Sequence, residues 1–242
     1  MRGLPWRARV GACACAVAVG LVVRLGGAAE PPLPADIAPP STAPADPITL
    51  DFGPQAGFGY RFSGSAGFPI GNRSGGVLGG SIAVSPSRSY SVALRYEHSA
   101  LGSEHGAGDV AHVDLTRSLD VVWASLRLAF LRTDRFLVLA QLGPGLAFQH
   151  VDASALVYRG AGRAPAPFSC GETAGPDLGL RAGLGLEARL NRSLWVSLDT
   201  VVDNLRLSSD PLGTCAPGAG SVALVGLRLG FTYRLDVSRF LR

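Results

Sequence analysis

The ionisable residues of this chain recur at every second position of long apolar runs. Across residues 178–190, leucine and alanine alternate with a set that includes Arg181 and Glu187. Since successive side chains of a β-strand point to opposite faces, this spacing places the charges on one face. Ten residues share such positions: Arg95, Glu97, Arg127, Arg181, Glu187, Arg189, Asp199, Asp203, Arg228 and Arg234. Charges buried on a common face must pair, because an isolated buried charge is costly.

A network of buried ion pairs is therefore the chemistry that these residues predict. We expect Arg181, Glu187, Asp199 and Arg228 to lie at its centre. In a closed barrel of about eight strands the network would plug the interior, because such a lumen is just wide enough for side chains. A narrow ion path through the same residues is the alternative, and it requires the network to open.

Two cysteines and four histidines are the other candidates for chemistry. Cys170 and Cys215 fall in two long loops, and an even pair in an oxidising compartment predicts a disulfide. The histidines are His98, His105, His112 and His150. Their spacing is too irregular to predict a metal site, and we expect neither a metal nor a cofactor. His98 and Ser99 are adjacent, so a strand would point them to opposite faces and prevent them from acting as base and nucleophile.

Eight strand-like runs must position these side chains. They cover about residues 55–63, 76–84, 90–99, 119–131, 136–150, 178–190, 194–207 and 223–235. Short connections of turn-forming residues alternate with long ones at about 64–75, 100–118, 151–177 and 208–220. This alternation predicts an all-β fold over residues 48–242, an eight-stranded antiparallel up-and-down transmembrane β-barrel.

The apolar face of these strands is expected to contact lipid. Representative positions are Leu184, Leu186, Leu227, Leu229 and Phe231. A soluble barrel would turn this face inward, but the length of the strands and the charge on their other face favour the membrane arrangement. The expected partners are outer-membrane lipid, lipopolysaccharide and the machinery that assembles barrels.

The N-terminal residues predict export. Residues 1–29 resemble a signal peptide, with basic residues followed by an apolar run at 10–23 that is too short to span a bilayer. Residues 30–47 contain seven prolines and predict an extended periplasmic linker. An even number of strands then leaves both termini in the periplasm of a Gram-negative bacterium, with the barrel in its outer membrane.

The net charge of +4 comes from the same segment. Four of the 22 basic residues precede residue 30 and no acidic residue does, so 18 basic residues remain against 18 acidic ones. A neutral mature chain gives no support to a nucleic-acid partner.

Residues 48–242 resemble the small eight-stranded outer-membrane barrels, the group that includes the transmembrane domain of outer-membrane protein A. This resemblance lies in the strand and loop arrangement, and it implies a porin-like barrel of the cell envelope. Because no catalytic constellation is visible, we expect a structural, adhesive or surface-binding protein that acts through its extracellular loops on a ligand that the sequence does not identify. The alternatives are a lipid-modifying enzyme similar to lipid A deacylases and a secreted lipocalin-like binding barrel.

Overall fold

A computed structural model describes residues 47–63, 73–107, 111–157, 166–212 and 215–238. The predicted signal peptide and residues 30–46 of the predicted linker lie outside these ranges. The chain divides into one unit at Met1–Pro44, outside the described residues, and a second at Ala45–Arg242 that contains every described residue.

The eight-stranded up-and-down barrel predicted from the sequence is confirmed. Its strands within the described residues are β1 (Thr49–Ser63), β2 (Ser74–Ser85), β3 (Tyr90–Ala107), β4 (Ala111–Arg132), β5 (Phe136–Val157), β6 (Ala166–Arg189), β7 (Leu194–Arg206) and β10 (Ser221–Asp236). Each pairs antiparallel with its neighbours, and β10 closes the ring against β1. Two short strands, β8 (Pro211–Leu212) and β9 (Ala216–Pro217), form a hairpin between β7 and β10.

Short turns at one end of the barrel join β2 to β3, β4 to β5 and β6 to β7, and we call this the turn end. Local side-chain hydrogen bonds fix their geometry. Asn191 Oδ1 accepts hydrogen bonds from the amides of Ser193 and Leu194, at 2.9 and 2.8 Å. Thr133 Oγ1 accepts one from the Phe136 amide at 2.9 Å. Such turns set the strand register, and the register decides which side chains face inward.

The opposite end, the loop end, differs from the sequence prediction. Much of the predicted loops at 100–118 and 151–177 is strand, because β3, β4, β5 and β6 continue well beyond their neighbours. β7 pairs with β6 only from Leu178 onward. The four long strands therefore form a sheet that projects from one side of the barrel, which we call the extension.

Two bulges at the base of the extension invert the inward and outward alternation. In β3, Ala100 pairs with Ser118 but Gly102 pairs with Arg117. In β6, Ala174 and Asp177 pair with β5 residues that are only two positions apart. An extra residue on one strand reverses the faces of everything beyond it. Thr173 consequently faces outward, whereas continuing the alternation of residues 178–190 would point it inward.

The outer surface of the barrel is an apolar belt. The predicted lipid-facing residues Leu184, Leu186, Leu227, Leu229 and Phe231 are all exposed, at 43–60 %. On β6 the belt covers residues 178–190, which at about 3.3 Å per residue and a tilt of about 40° spans roughly 30 Å. Among the described residues, no helix has the length and apolar character needed to cross a membrane.

Most of the buried apolar residues lie inside the barrel toward the loop end. They surround Trp123, whose side chain is 1 % exposed and packs in a cluster with Leu101, Leu119 and Leu205. Gly145 and Gly179 make room for its indole, since an added Cβ would lie 2.4 Å and 3.0 Å from ring atoms. A second apolar cluster lies further out, on the inner face of the extension. The charged residues of the predicted luminal network lie between Trp123 and the turn end.

Candidate functional site

Glu97 on β3 is the hub of the buried ionic network. Its carboxylate accepts hydrogen bonds from both terminal nitrogens of Arg181, each at 2.6 Å, and from Gln55 Nε2 at 2.9 Å. Arg228 Nη2 lies 3.4 Å from Oε2, and Arg95 Nη1 lies 3.9 Å from Oε1. One carboxylate thus links β1, β3, β6 and β10 across the lumen.

Arg181 is the most completely paired cation of the network. Its Nε and Nη2 donate to the two carboxylate oxygens of Asp203, at 2.6 and 2.8 Å. Its guanidinium carbon lies 4.2 Å from the centroid of the Trp123 ring. With two carboxylates and an aromatic face around it, the cost of burying this cation is offset by charge-assisted hydrogen bonds and a cation–π contact.

A second ionic cluster lies toward the turn end. Glu187 accepts hydrogen bonds from Arg127 and, at 3.1 Å, from Arg234. Arg234 also makes a two-point contact with Asp51, at 2.8 and 2.7 Å, and stacks over Trp195 at 4.4 Å. A shallow recess at the turn end is lined by these charged groups. Solvent from the turn end can reach this cluster before it reaches the Glu97 hub.

The eight residues proposed for the luminal network all lie buried in the barrel interior. They are Arg95, Glu97, Arg127, Arg181, Glu187, Asp199, Asp203 and Arg228. The predicted centre needs correction, because Glu97 is the hub and Glu187 belongs to the turn-end cluster. Arg181 and Glu187 are six residues apart on one strand, or roughly 20 Å, which is too far to share a partner. Asp199 instead accepts a hydrogen bond from Arg95 at 2.9 Å.

Asp51 and Gln55 are network members that the sequence prediction missed. Both are buried in β1, which begins at Thr49 and not at residue 55. Glycines lie between them at the inward positions of β1, so polar residues do not recur at every second position and the strand pattern is weak in the sequence. Arg189, counted among the inward positions in the sequence, is instead exposed beside the turn at 190–193.

The described residues between β7 and β10, 207–212 and 215–220, cover the loop end of the lumen, and we call them the cap. Gln149 holds both of its ends, since its Nε2 donates to the Ser208 carbonyl at 3.1 Å and its Oε1 accepts from the Ala219 amide at 3.0 Å. Asp177 Oδ2 accepts from the Ser208 amide at 3.1 Å. Leu212 packs inside the extension against Leu115 and neighbouring apolar residues. The cap and the Trp123 cluster together close this end.

A disulfide between Cys170 and Cys215, the pair expected from the sequence, ties the tip of the cap to β6. The two Cα atoms are 5.7 Å apart, and the residues are separated by 45 positions in the chain. Because β6 is itself paired with β5, the bond anchors the cap to a fixed sheet.

Breaking this bond should loosen the cap and leave the barrel folded. For the variant Cys170→Ser we expect normal insertion into vesicles and faster proteolysis within residues 207–220. The chain-entropy model gives about 4 kcal/mol for a loop of this length, most of it expressed in the order of the cap. The double variant Cys170→Ser/Cys215→Ser should match the single one. Unchanged proteolysis, or two free thiols in the parent protein, would contradict this prediction.

A row of polar residues crosses the outer surface on the loop-end side of the apolar belt. Asp120 on β4 accepts hydrogen bonds from the hydroxyl of Tyr96 at 2.7 Å, and its carboxylate lies 2.8 Å from His98 Nδ1 and 2.6 Å from His150 Nε2. The other ring nitrogen of His150 lies 2.8 Å from Thr173 Oγ1. The row joins four adjacent strands, from β3 to β6. Ser99, next to His98, is buried on the opposite face, as the alternation predicts.

Among the residues with described side chains, no group of three or more histidine, cysteine, aspartate and glutamate residues is arranged to hold a metal ion. The side chain of His112 lies outside that set. His105 Nδ1 lies 2.6 Å from Asp114 Oδ1, in the extension.

Comparisons with known proteins find similarity only among solved structures, at low sequence identity. No family model matches the chain, and no curated protein matches it. Among solved structures, the chain is similar to Ail, the attachment invasion locus protein of Yersinia pestis, at 14 % identity and a TM-score of 0.40 over 78 % of this chain and 99 % of that one. A major outer membrane protein from Thermus thermophilus is similar at 14 % identity and a TM-score of 0.45, over 77 % of this chain and 99 % of that one. The outer membrane protein OprG from Pseudomonas aeruginosa is similar at 13 % identity and a TM-score of 0.40, over 79 % of this chain and 97 % of that one. The fold assignment itself rests on the strand pairing of this chain, which is that of a small eight-stranded β-barrel.

Proposed function

We propose that this protein is an integral outer-membrane β-barrel with a closed lumen that acts at the cell surface through its loop end. The observation that carries the proposal is the inverted distribution of polarity. Large apolar side chains cover the outside of the barrel, while arginines and carboxylates fill the inside. An outer surface of large apolar side chains is unfavourable in water and favourable in the hydrocarbon of a bilayer.

The height of the apolar belt supports the membrane assignment. It spans roughly 30 Å, the thickness of the hydrocarbon core of a bilayer. Aromatic residues lie toward both ends, with Phe52 and Tyr233 in contact near the turn end, Tyr96 in the polar row and Phe148 beside it. Aromatic girdles at both interfaces are typical of transmembrane barrels. With the turn end in the periplasm, both termini would lie there as well.

The contents of the lumen support a closed barrel over an ion path. Oppositely charged residues of the network pair across the lumen. Between the network and the loop end lie the apolar Trp123 cluster and then the cap. An ion would have to separate buried pairs and then cross an apolar layer, and both steps are costly.

Recordings across planar bilayers should therefore show no stable open state. Insertion must be demonstrated in the same preparation by the altered gel mobility of the unheated protein, so that silence does not reflect absence of the barrel. Large, long-lived openings of porin size would refute the closed lumen.

The extension supports a surface role. It presents a four-stranded sheet beyond the belt, stabilised on its inner face by the cap. We expect ligand binding to depend on this region, and a variant with the β3–β4 hairpin shortened by removing residues 103–114 tests it. Cells carrying the parent or the shortened protein can be compared for binding to extracellular matrix proteins, to neighbouring cells and to lipopolysaccharide. If the parent and the shortened protein bind each of the three ligands equally well, this hairpin does not have the proposed role.

A soluble lipocalin-like protein is the competing possibility, and a simple fractionation separates the two. A lipocalin requires an apolar ligand cavity, whereas this interior holds paired charges. We expect the mature protein in the membrane fraction, extractable only with detergent. Recovery from the aqueous fraction without detergent would contradict the membrane assignment.

A further inference from the structure

We propose that Thr173, His150 and Asp120 form a hydrolytic site for the ester-linked acyl chains of membrane lipids, on the outside of the barrel. The proposal rests on the membrane placement given above and adds an activity to it. Its elements are a hydroxyl, an imidazole and a carboxylate connected in that order by distances of 2.8 and 2.6 Å. A nucleophile within reach of a base that a third group orients is the arrangement that covalent catalysis needs.

The hydrogen bonds define a consistent proton arrangement. An ionised Asp120 can only accept, so Nε2 of His150 carries the proton that points toward it. In the neutral imidazole Nδ1 is then an acceptor, and it faces the hydroxyl of Thr173. His150 is therefore poised to take the proton from Thr173.

Asp120 is fixed by two further groups. Tyr96 donates its hydroxyl hydrogen to Oδ1 at 2.7 Å, and His98 Nδ1 lies 2.8 Å from the same oxygen. The remaining oxygen, Oδ2, faces His150. Asp120 is thus a positioning residue, since it holds the ring of His150 and stabilises its positive charge when a proton is taken up.

The site lies where an ester bond of a lipid would lie. The apolar residues of the belt next to this site are Leu146, Phe148 and Leu178, and each is at least one-third exposed on the outer face. Acyl chains packed on these side chains would end at the level of Thr173, at the boundary between hydrocarbon and headgroups. The bulge in β6 turns Thr173 outward to this position.

The edge of β6 beside Thr173 offers donors for a developing oxyanion. β7 pairs with β6 only from Leu178, so no described strand forms ladder hydrogen bonds with this edge. Successive amides of a strand point to alternate sides, and one within a residue of Thr173 therefore points away from β5. Backbone amides aimed at an oxyanion are the usual means of stabilising a tetrahedral intermediate.

The reaction balances with water as the only co-substrate. Thr173 Oγ1 attacks the ester carbonyl while its proton passes to His150 Nδ1, and the bond to the alcohol oxygen breaks as His150 returns the proton to it. Water then attacks the acyl-threonine, gives a proton to His150 and releases the fatty acid, and Thr173 regains its proton.

A second pair in the extension is the internal comparison. His105 and Asp114 are 2.6 Å apart, but Ser103 Oγ lies 3.5 Å from the other ring nitrogen, a longer and weaker contact than the 2.8 Å between Thr173 and His150. Both partners are about two-thirds exposed, at 62 % and 68 %. His105 therefore serves as a matched control for His150.

The test uses full-length protein refolded into two kinds of vesicle, one of phosphatidylethanolamine and phosphatidylglycerol and one that also contains lipopolysaccharide. Released fatty acids are measured by mass spectrometry, and the two arms distinguish phospholipid esters from those of lipopolysaccharide. We expect release in at least one arm. Thr173→Val and His150→Gln should each lower the rate at least about 100-fold. Asp120→Asn should lower kcat and leave KM unchanged, and His105→Gln should have no effect.

Insertion of every variant is checked by its gel mobility without heating, which separates a failure of this proposal from a failure of the membrane assignment. Inserted parent protein that releases no fatty acid in either arm would overturn the proposal. Full activity of Thr173→Val would overturn it as well, as would loss of activity in His105→Gln.

Discussion

Replacing Glu97 with alanine is expected to lower the free energy of unfolding by about 3–5 kcal/mol, the cost of removing one partner from a buried ionic group. Glu97 is 1 % exposed and faces Arg181, Arg228 and Arg95. Asp203 would still pair with Arg181, and Asp199 with Arg95, but the hub would hold three cations against two carboxylates. The excess positive charge has no access to water in the centre of the lumen.

The measurement is a urea titration of the refolded protein in detergent micelles, followed by gel mobility without heating. Glu97→Gln keeps the shape and one acceptor oxygen, so it should recover only part of the loss. Glu172→Ala removes the same type of charge from an exposed position of the extension and should leave the unfolding midpoint unchanged. Equal midpoints for Glu97→Ala and Glu172→Ala would show that the network does not hold the barrel together.

Most strands between the turn end and the extension could be predicted from the sequence, because their buried faces have a period of two. In β6 the residues from Arg181 to Glu187 face inward and alternate with the outward residues from Leu178 to Leu190, and the structure keeps that alternation up to Leu178. The alternation of short and long connections then predicted that successive strands run antiparallel, with all short turns at one end of the barrel. For these strands the alternation within each strand is consistent with its place in the closed barrel, and a fold can be predicted from sequence patterns when the two are consistent.

The same reasoning fails where a strand changes its register. One extra residue in β3 and one in β6 exchange the faces beyond Gly102 and Gly175. Thr173 therefore lies beside His150, although its position in the sequence pattern points it away. The partners of His150 come from β4 and β6, so they become visible only when the pairing of three strands is known.

The centre of the luminal network could not be predicted from the residue types alone. The charges that face inward were identifiable, but their height along the barrel axis depends on the stagger between strands. Glu97 pairs in register with Gly79 on one side and Val121 on the other, and its carboxylate meets Arg181 across the lumen. Contacts across the interior of a closed ring leave no periodic signal in any single strand.

Replacing Leu184 with arginine is expected to destabilise the inserted barrel by about 2–4 kcal/mol, the cost of a cation near the bilayer midplane. Leu184 lies near the middle of the outward face of β6, six residues from each end of the belt segment 178–190. Its side chain is 60 % exposed on the outer surface, so in the proposed membrane placement the substitution meets lipid and disturbs no packing inside the barrel. An arginine there is too far from either headgroup layer to reach it fully.

The matched control is Leu190→Arg, at the turn end of the same face and with nearly the same exposure of 56 %. Near an interface the same substitution costs about 0–1 kcal/mol, because the guanidinium reaches water and headgroups. Gly185→Ser is not a suitable control, since a Cβ there would lie 2.4 Å from Asp199 Oδ1 and 2.8 Å from a methyl carbon of Leu139. The unfolding free energies of both arginine variants are compared in vesicles and again in detergent micelles, which can deform around a charge. A bilayer should separate the two variants by at least about 1 kcal/mol, and micelles should narrow the gap. If Leu184→Arg and Leu190→Arg unfold alike in vesicles, the apolar belt does not lie in hydrocarbon, and both the membrane placement and the lipid-directed role of Thr173 lose their physical basis.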